Sequence, residues 1–494
     1  MPTSKLIRLL LLTVIVFSQV SSYRGQQEII ECEECRQSPV DLPPLQVSPE
    51  PPPDVANKWD LWTHGTLLRG ANIWQKCRGT DGAPCTSFET SYDNTDFEKL
   101  KAWGANYVNI SYPGIFSEKP VRDGGRGPLT YRKVETALAN LLRLIDLCRD
   151  NELFVVVSFR TGPGRNEAVF DKEESNPITT LWKTKDGALT AEAAAAQDAW
   201  VAMWREAACQ LKNKPNVIGY DLMVEPQQER ERQEGVNKQE MWFALAQRLV
   251  EAIRCEDKRT PILVGGADES SACKLSCVNP DRFSRYGRMV YIAHQYQPYD
   301  EYTHQPNKHA KYKCEGNVAK RVNPGRRDDH LPRAFDTWVA GEMYKRYQYI
   351  YGFKVGHGVQ VAVNEFGVVR YAGTPDKPDA HRAITYEMDL SERMGANHAL
   401  WLWETRACIT YDDMNFKHGV DPKKHDDLTP DEEAQDPLVR AIKENWGRNK
   451  IYATPAIRDK IGAEAAPLLP TGLVCPIADA CIRPVDSGTR HLQR

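Results

Sequence analysis

The sequence lacks several features that would point to other classes of enzyme. It has no HExxH pattern, which argues against the common zinc protease helix, and no GxSxG elbow of the kind that serine hydrolases use. A formal charge of -3 without a basic stripe gives no reason to expect nucleic acid as a partner. No apolar run after the N-terminus is long enough to span a membrane. What is present is a chain of 494 residues, 41% hydrophobic and 27% charged, which is typical of a globular protein.

The first 22 residues have the composition of a secretory signal peptide. Lys5 and Arg8 precede a short apolar run at 9–17, and small residues at 20–22 offer a cleavage site. We therefore predict that residues 1–22 are removed, that the protein is secreted to the extracellular space or the periplasm, and that no membrane association remains after cleavage. The polar, proline-rich residues 23–57 are predicted to form a linker or extended arm.

Thirteen cysteines in an exported chain are candidates for disulfide bonds. Three pairs are near neighbours that would close small loops: Cys77 with Cys85, Cys273 with Cys277, and Cys475 with Cys481. The spacing does not fix the connectivity, and an odd number leaves at least one thiol over. Cys32 and Cys35 have the spacing of half a zinc site, but no second half is evident. The sequence therefore implies neither a metal nor an organic cofactor.

Short apolar runs alternate with longer helical patterns along most of the chain. Eight runs are strand candidates, at 66–73, 105–112, 154–160, 217–224, 261–266, 289–297, 359–367 and 398–403. This alternation predicts an α/β fold, a closed parallel (β/α)8 TIM barrel over 58–453, with an irregular C-terminal extension over 454–494. A doubly wound open sheet is the alternative. It would favour a glycine-rich phosphate loop after the first strand, and the RGAN sequence at 69–72 is not one.

Two predicted strands end in a glutamate. The run VIGYDLMVEP closes on Glu225, and the run VQVAVNEFG closes on Glu365. In a parallel barrel the carboxyl ends of the strands surround one mouth, where the chemistry of such folds is found. Two carboxylates that face each other across a sugar are what glycoside hydrolysis requires. We therefore interpret Glu225 and Glu365 as the candidate catalytic pair.

At this point the sequence resembles the cellulase-type glycoside hydrolases of family 5, within the larger clan of barrel glycosidases. The resemblance extends over about 66–403. It rests on the order of short motifs at successive strand ends: Arg69-Gly70-Ala71-Asn72, Gly162-Pro163-Gly164, Glu225-Pro226, His294-Gln295-Tyr296, Glu365-Phe366-Gly367 and Trp403.

The resemblance implies a role for each matching residue. Glu225 would be the acid/base and Glu365 the nucleophile, with Tyr296 hydrogen-bonded to the nucleophile and His294 beside it. Trp403 would form the floor beneath the sugar. The chemistry agrees, because the acid needs a raised pKa and the nucleophile needs donors that keep it ionised. A further aromatic residue, Trp74, follows the first strand directly and is a candidate for stacking on a sugar.

Three positions depart from the family pattern. Val224 stands where an asparagine usually precedes the acid/base, Asn109 replaces an arginine on the second strand, and Arg160 replaces a histidine that ends the third. We hypothesise that the polar groups have moved between strands, so that Arg160 reaches the nucleophile and Asn109 supplies the missing amide. The alternative for Arg160 is an ion pair with a loop carboxylate.

Two functional interpretations remain open. The first is a secreted retaining glycosidase whose substrate is a β-glycan or β-glycoside, bound as an oligo- or polysaccharide. The second is a catalytically inactive carbohydrate-binding protein on the same barrel, as the three altered positions suggest. The retained pair Glu225 and Glu365 favours the enzyme, because a binding module needs neither carboxylate. The sequence gives no sugar, linkage or oligomeric state.

Overall fold

The structure is a computed structural model of the whole chain. The residues that it describes are 39–45, 54–78, 85–88, 90–122, 127–170, 177–226, 238–303, 310–315, 318–324, 334–370, 372–374, 377–403, 428–465, 467, 473 and 475. The predicted signal peptide and the Cys32–Cys35 pair lie outside the described residues. Across the described ranges, no helix is both long and apolar enough to cross a bilayer.

Eight parallel strands close into the predicted barrel. They are β1 (Arg69–Trp74), β2 (Tyr107–Tyr112), β3 (Phe154–Phe159), β4 (Val217–Asp221), β5 (Ile262–Gly265), β6 (Met289–Gln295), β7 (Gln360–Phe366) and β8 (Asn397–Leu400). Each strand pairs with its neighbours in sequence, and β8 pairs with β1. Nearly every strand residue is buried, as expected where helices cover the outer face and side chains fill the interior. The open-sheet alternative is therefore wrong.

Helices precede the first strand and connect or follow the others. They are α1 (Asp60–Thr63), α2 (Asn94–Ala102), α3 (Glu135–Asp150), α4 (Ala191–Leu211), α5 (Lys238–Glu256), α6 (Ala272–Leu275), α7 (Asp281–Ser284), α8 (Thr337–His357), α9 (Ala380–Met394), α10 (Pro430–Gln435), α11 (Pro437–Trp446) and α12 (Pro455–Gly462). Within the described residues, four two-stranded hairpins lie in the connections: Val121–Arg122 with Leu129–Thr130, Thr184–Lys185 with Ala188–Leu189, Ala310–Glu315 with Val318–Pro324, and Gly373–Thr374 with Lys377–Pro378.

Local sequence signals set several helix ends. α2 begins with a capping box in which Asp93 and Asp96 satisfy each other's backbone N–H groups. α8 begins after Asp336, whose side chain accepts from two backbone N–H groups, and ends at Gly358 in the left-handed region. On β1, Gly70 is required by close packing, because a Cβ there would lie 1.8 Å from the backbone oxygen of Tyr107.

An apolar cluster fills the barrel interior. Strand residues such as Val156 and Ile292 meet Trp62 of α1, whose indole N–H donates to the backbone oxygen of Ile218 at 3.0 Å. Ile461 of α12 joins the same cluster. The short helix before β1 and the helix after the last barrel element therefore both contribute to the interior packing.

Segments outside the predicted barrel also pack against it. Within the predicted arm, Leu42 is buried and its backbone oxygen accepts from Arg393 of α9. The extension after 453 was predicted to be irregular, but it forms α12 and continues to Cys475. That cysteine bonds to Cys255 of α5. The pairing of Cys475 with Cys481 is therefore wrong, whereas the predicted Cys77–Cys85 disulfide is present.

Candidate active site

Two carboxylates that follow different strands meet at one end of the barrel. Glu365 lies at the end of β7, and Glu225 lies four residues after the end of β4. One oxygen of each carboxylate and a ring nitrogen of His294 all lie within 4.8 Å of one another. The side chain of Glu225 is 12% exposed and that of Glu365 is 3% exposed, so neither points to bulk water.

The position of Glu365 depends on an irregularity in strand pairing. Ala293 of β6 pairs with Val363 of β7, but the next residue, His294, pairs with Glu365. Asn364 is therefore an extra residue in β7. Such bulges re-aim side chains and are frequent near functional sites. Here the bulge sets the histidine and the glutamate side by side.

His294 bridges the two carboxylates through a single ring nitrogen. Its Nδ1 lies 3.0 Å from Oε1 of Glu225 and 3.2 Å from Oε2 of Glu365. Burial alone would lower the pKa of this imidazole, but the charges of Glu365 and Glu225 overcome that effect and raise it to about 9. The ring is therefore protonated at neutral pH and supplies a positive charge between the two acids.

The two oxygens of Glu365 have different surroundings. Oε2 accepts a hydrogen bond from the hydroxyl of Tyr296 at 3.1 Å and faces His294. Oε1 is buried and accepts no hydrogen bond from the described residues. One oxygen is thus anchored while the other is left for a ligand.

Burial raises the pKa of Glu365 to about 7, and the charge of Glu225 acts in the same direction. His294, Arg160 and Tyr296 act in the opposite direction and favour the ionised form. Burial thus favours the neutral form of Glu365, and the neighbouring donors oppose it.

Arg160 lies just past β3 and binds a loop carboxylate. Its Nε donates to Oε1 of Glu167 at 2.6 Å, which is the alternative interpretation of this arginine. Its guanidinium carbon lies 3.6 Å from the ring centre of Phe170. The guanidinium does not hydrogen-bond the nucleophile candidate, but its charge lowers the pKa of Glu365.

Arg165 is a site residue that the sequence argument missed. This fully buried arginine donates to the backbone oxygens of Arg160 (2.7 Å), Val224 (2.8 Å) and Glu225 (2.7 Å). Glu225 itself has a φ of 47°, in the left-handed region that costs a residue with a side chain roughly 1–2 kcal/mol. The arginine thus fixes the backbone of Glu225 in a strained conformation. Its position in a loop gave no sequence signal.

The aromatic wall consists of Trp74 and Trp401, whereas the sequence predicted Trp403, two residues further along the chain. Trp403 is fully buried and packs edge-on against Trp103 with ring centres 4.9 Å apart, so it does not form the floor of the site. Trp401, which precedes a cis peptide bond, keeps 9% of its surface exposed and lies 6.0 Å from Trp74. Arg160 lies above both of these rings. Of the two tryptophans, Trp401 is therefore the one that lies beside Trp74 and Arg160.

Asn109 lies in a buried polar layer inside the barrel. Its Nδ2 donates to Asn72 at 2.6 Å, and its Oδ1 accepts from Ser158 at 2.7 Å. The Ser158 hydroxyl also lies 2.9 Å from Asp221, to which Asn364 donates, and burial raises the pKa of Asp221 to about 6. Both ends of the Asn109 amide are therefore occupied, and the side chain is not in position to replace the missing sugar-binding amide.

Glu225, His294 and Glu365 also have the donor types that could surround a metal ion. A metal requires a neutral imidazole, however, and the two carboxylates raise the pKa of His294 to about 9. A cation at this position would therefore have to displace the ring proton that the two carboxylates favour.

A closed (β/α)8 barrel with two facing carboxylates at its mouth is the architecture of the barrel glycoside hydrolases. Comparison with protein families identifies which family of glycoside hydrolases this chain belongs to. The model of the family Cellulase (glycosyl hydrolase family 5) matches residues 70–407. The chain belongs to this family and is a glycoside hydrolase, which confirms the family and the fold predicted from the sequence.

Solved structures support the fold. A family 5 lichenase from Caldicellulosiruptor sp. F32 aligns with a TM-score of 0.55 at 12% identity, covering 82% of this chain and 100% of that one. Endoglucanase Cel5A from Thermotoga maritima aligns with a TM-score of 0.52 at 16% identity, covering 78% and 99%. A broad-specificity GH5-4 endoglucanase from Ruminococcus flavefaciens gives 0.51 at 16%, covering 80% and 100%. Comparison with the curated proteins finds no match.

Proposed function

We propose that this glycoside hydrolase cleaves β-glycosidic bonds with retention of configuration, by double displacement. The observation that carries the proposal is the short separation of the candidate carboxylates, with oxygens of Glu225 and Glu365 within 4.8 Å. Retaining enzymes hold their two carboxyl groups about 5–5.5 Å apart, whereas inverting enzymes leave about 6.5–9.5 Å for a water molecule. The separation here supports the retaining reaction.

Glu365 is the proposed nucleophile. Its Oε2 is held by Tyr296 and His294, and its buried Oε1 accepts no hydrogen bond from the described residues. An anchored carboxylate with one unengaged oxygen suits in-line attack on an anomeric carbon. The donors also favour the charged form that attack requires.

Glu225 is the proposed acid/base. It is the more exposed of the two, as suits a group that exchanges its proton with a leaving alcohol and then with water. In the first step Glu225 protonates the glycosidic oxygen while Glu365 forms a bond to the anomeric carbon and the leaving group departs. In the second step Glu225 takes a proton from water, and the water oxygen displaces Glu365.

The substrate contacts follow from the aromatic wall. The rings of Trp401 and Trp74 lie 6.0 Å apart, and Arg160 lies above both within reach of the charges of the two carboxylates. Aromatic faces pack on the apolar faces of sugars. We therefore propose an oligo- or polysaccharide substrate of the β-glycan class. A structure of the Thermotoga maritima relative is described as a complex with cellobiose, which is consistent with this class. The Cys77–Cys85 and Cys255–Cys475 disulfides and the predicted signal peptide support secretion.

A covalent trap tests both the reaction and the roles. The protein is incubated with a panel of 2-deoxy-2-fluoro β-glycosides carrying good leaving groups, and the labelled peptide is sequenced. We expect one glycosyl group per chain on Glu365, with Glu365→Gln unlabelled as the control. Glu225→Ala is expected to label only with activated leaving groups and to regain turnover with azide. A label on another residue, or glycoside turnover by Glu365→Gln equal to wild type, would refute the assignment.

A further inference from the structure

Arg160 lies where the proposed substrate would meet the aromatic wall. Its guanidinium carbon is 5.2 Å from the ring centre of Trp74 and 5.3 Å from that of Trp401. It is also close enough to both acids that the charges of Glu365 and Glu225 act on it. A group in this position would contact the sugar that occupies the cleavage position.

The hydrogen bonds of Arg160 are incomplete on one side. Glu167 occupies Nε at 2.6 Å, and neither Nη1 nor Nη2 donates to any of the described residues. The side chain is 10% exposed, and its Nη atoms are not among the fully enclosed unpaired atoms of the described residues, so a ligand can reach them. A guanidinium has five N–H donors, and those that Glu167 does not engage are available to a ligand that supplies acceptors.

The position of the guanidinium is fixed rather than adaptable. Phe170 lies 3.6 Å from its central carbon, so the planar group stacks on the ring, and Glu167 holds one edge. A planar fork held in this way matches the two oxygens of a carboxylate, whereas a single hydroxyl would satisfy only one donor. A permanent positive charge also offsets the repulsion that Glu225 and Glu365 would exert on an anionic ligand.

We propose that Arg160 selects a sugar bearing a carboxylate, so that the substrate is a glycan or glycoside with a β-linked uronic acid in the cleavage position. This inference rests on the proposed glycoside hydrolysis and names its substrate class. The uronate is held by Nη1 and Nη2 of Arg160 while its ring lies along Trp401. Glu167 keeps the guanidinium oriented and partly neutralised when the site is empty.

Matched substrates test the proposal. The full-length protein is assayed with 4-nitrophenyl β-D-glucuronide and β-D-glucoside, and with the corresponding galacturonide and galactoside, which differ within each pair only at C6. We expect kcat/KM for one uronide to exceed that of its neutral partner by about tenfold or more, the effect of a charge-assisted bidentate contact. In Arg160→Gln this ratio falls toward one.

Two further variants separate recognition from folding. Glu167→Gln leaves the charge of Arg160 uncompensated, so the uronide preference is expected to rise, whereas Arg160→Lys keeps the charge without the fork and retains part of the preference. Arg205→Gln is the matched control, because Arg205 pairs with Glu256 on the outer helices. Its substrate ratio is expected to equal that of wild type.

Failure of this inference and failure of the proposed function give different results. Efficient hydrolysis of the neutral glycosides, with a ratio that Arg160→Gln leaves unchanged, overturns the uronate selection and keeps the hydrolase. If neither member of any pair is hydrolysed, the methyl β-glycosides of glucuronate and glucose are titrated calorimetrically. Tighter binding of the glucuronate that is lost in Arg160→Gln upholds the recognition, and equal binding overturns it.

Discussion

Arg165 and Glu225 are joined through the backbone and not through their opposite charges. Nη2 of the arginine donates to the backbone oxygen of the glutamate at 2.7 Å. Its Nη1 spans the oxygens of Val224 and Arg160, so one side chain ties the end of β3 to the segment after β4. The proposed acid/base is therefore positioned by a neighbour that never touches its carboxylate.

Arg165→Lys is expected to reduce kcat more than it changes KM. Lysine keeps the charge but does not bridge three carbonyl oxygens, so the strained backbone at Glu225 relaxes and the acid moves away from the leaving oxygen. Steady-state kinetics on an aryl β-glycoside measure the effect, which we expect to be about tenfold or more for a small displacement of a catalytic group. Arg143→Lys, on the outer face of α3, is the control, and a proportional loss of kcat there would contradict the explanation.

Trp401 and Trp403 are expected to give opposite results on substitution with alanine. Trp401→Ala removes a ring that lines the site and is expected to raise KM with a small change in melting temperature. Trp403→Ala removes a fully buried ring and is expected to cost about 3–5 kcal/mol of unfolding free energy. Denaturant titration and kinetics on both variants check the assignment. The reverse pattern would restore Trp403 as the floor of the site.

The pH dependence of activity is expected to follow the ionisation of Glu365. Because its pKa is raised to about 7, kcat/KM should rise with pH through that value as the nucleophile becomes charged. Tyr296 donates to the charged form of Glu365, so Tyr296→Phe should move the rise in kcat/KM to higher pH. Tyr452→Phe is the control. The Tyr452 hydroxyl donates to the backbone oxygen of Gly104, so its removal should leave the pH dependence unchanged. A rise in kcat/KM that moves to lower pH in Tyr296→Phe would contradict the role of Tyr296.

Glu387 is expected to make stability depend on pH. This α9 carboxyl is completely buried, and burial raises its pKa well above the usual range. A raised pKa in the folded state gives a stabilising contribution that is complete below the unfolded pKa and is lost as the pH rises through the folded value. Glu387→Gln should therefore gain stability over wild type as the pH increases from 5 to 8, by at most about 1.4 kcal/mol per pH unit.

Thermal melts of both proteins across that range measure the difference. Asp389→Asn, on the same helix but 34% exposed and paired with Arg448, should show no such trend. A constant offset between wild type and Glu387→Gln would mean that the carboxyl is ionised to the same extent in the folded and unfolded states, and would contradict the raised pKa.

The fold was predictable because its signals are repetitive. Eight apolar runs alternating with helical periodicity indicated the barrel, and the rule that parallel strands end at one mouth brought Glu225 and Glu365 together. Neither step needs a detailed backbone geometry. The family match and the closed barrel confirm both predictions.

The errors arose where side-chain direction depends on non-local geometry. Trp401 and Trp403 are two residues apart beyond the end of β8, where strand alternation no longer fixes which side chain faces the site. The register of β1 and β2 places Asn109 opposite Asn72, and the two side chains hydrogen-bond each other. Arg165 holds Glu225 through backbone oxygens of separate segments, and no local sequence pattern indicates such contacts.

The bond between Cys255 and Cys475 ties α5 to the last described part of the chain. A single proteolytic cut anywhere between these two positions would leave both fragments covalently attached. Electrophoresis without a reductant would then show one band of full-length mass, and only a thiol would reveal the cleavage. Purity judged under non-reducing conditions will therefore overstate how much of this enzyme is uncut.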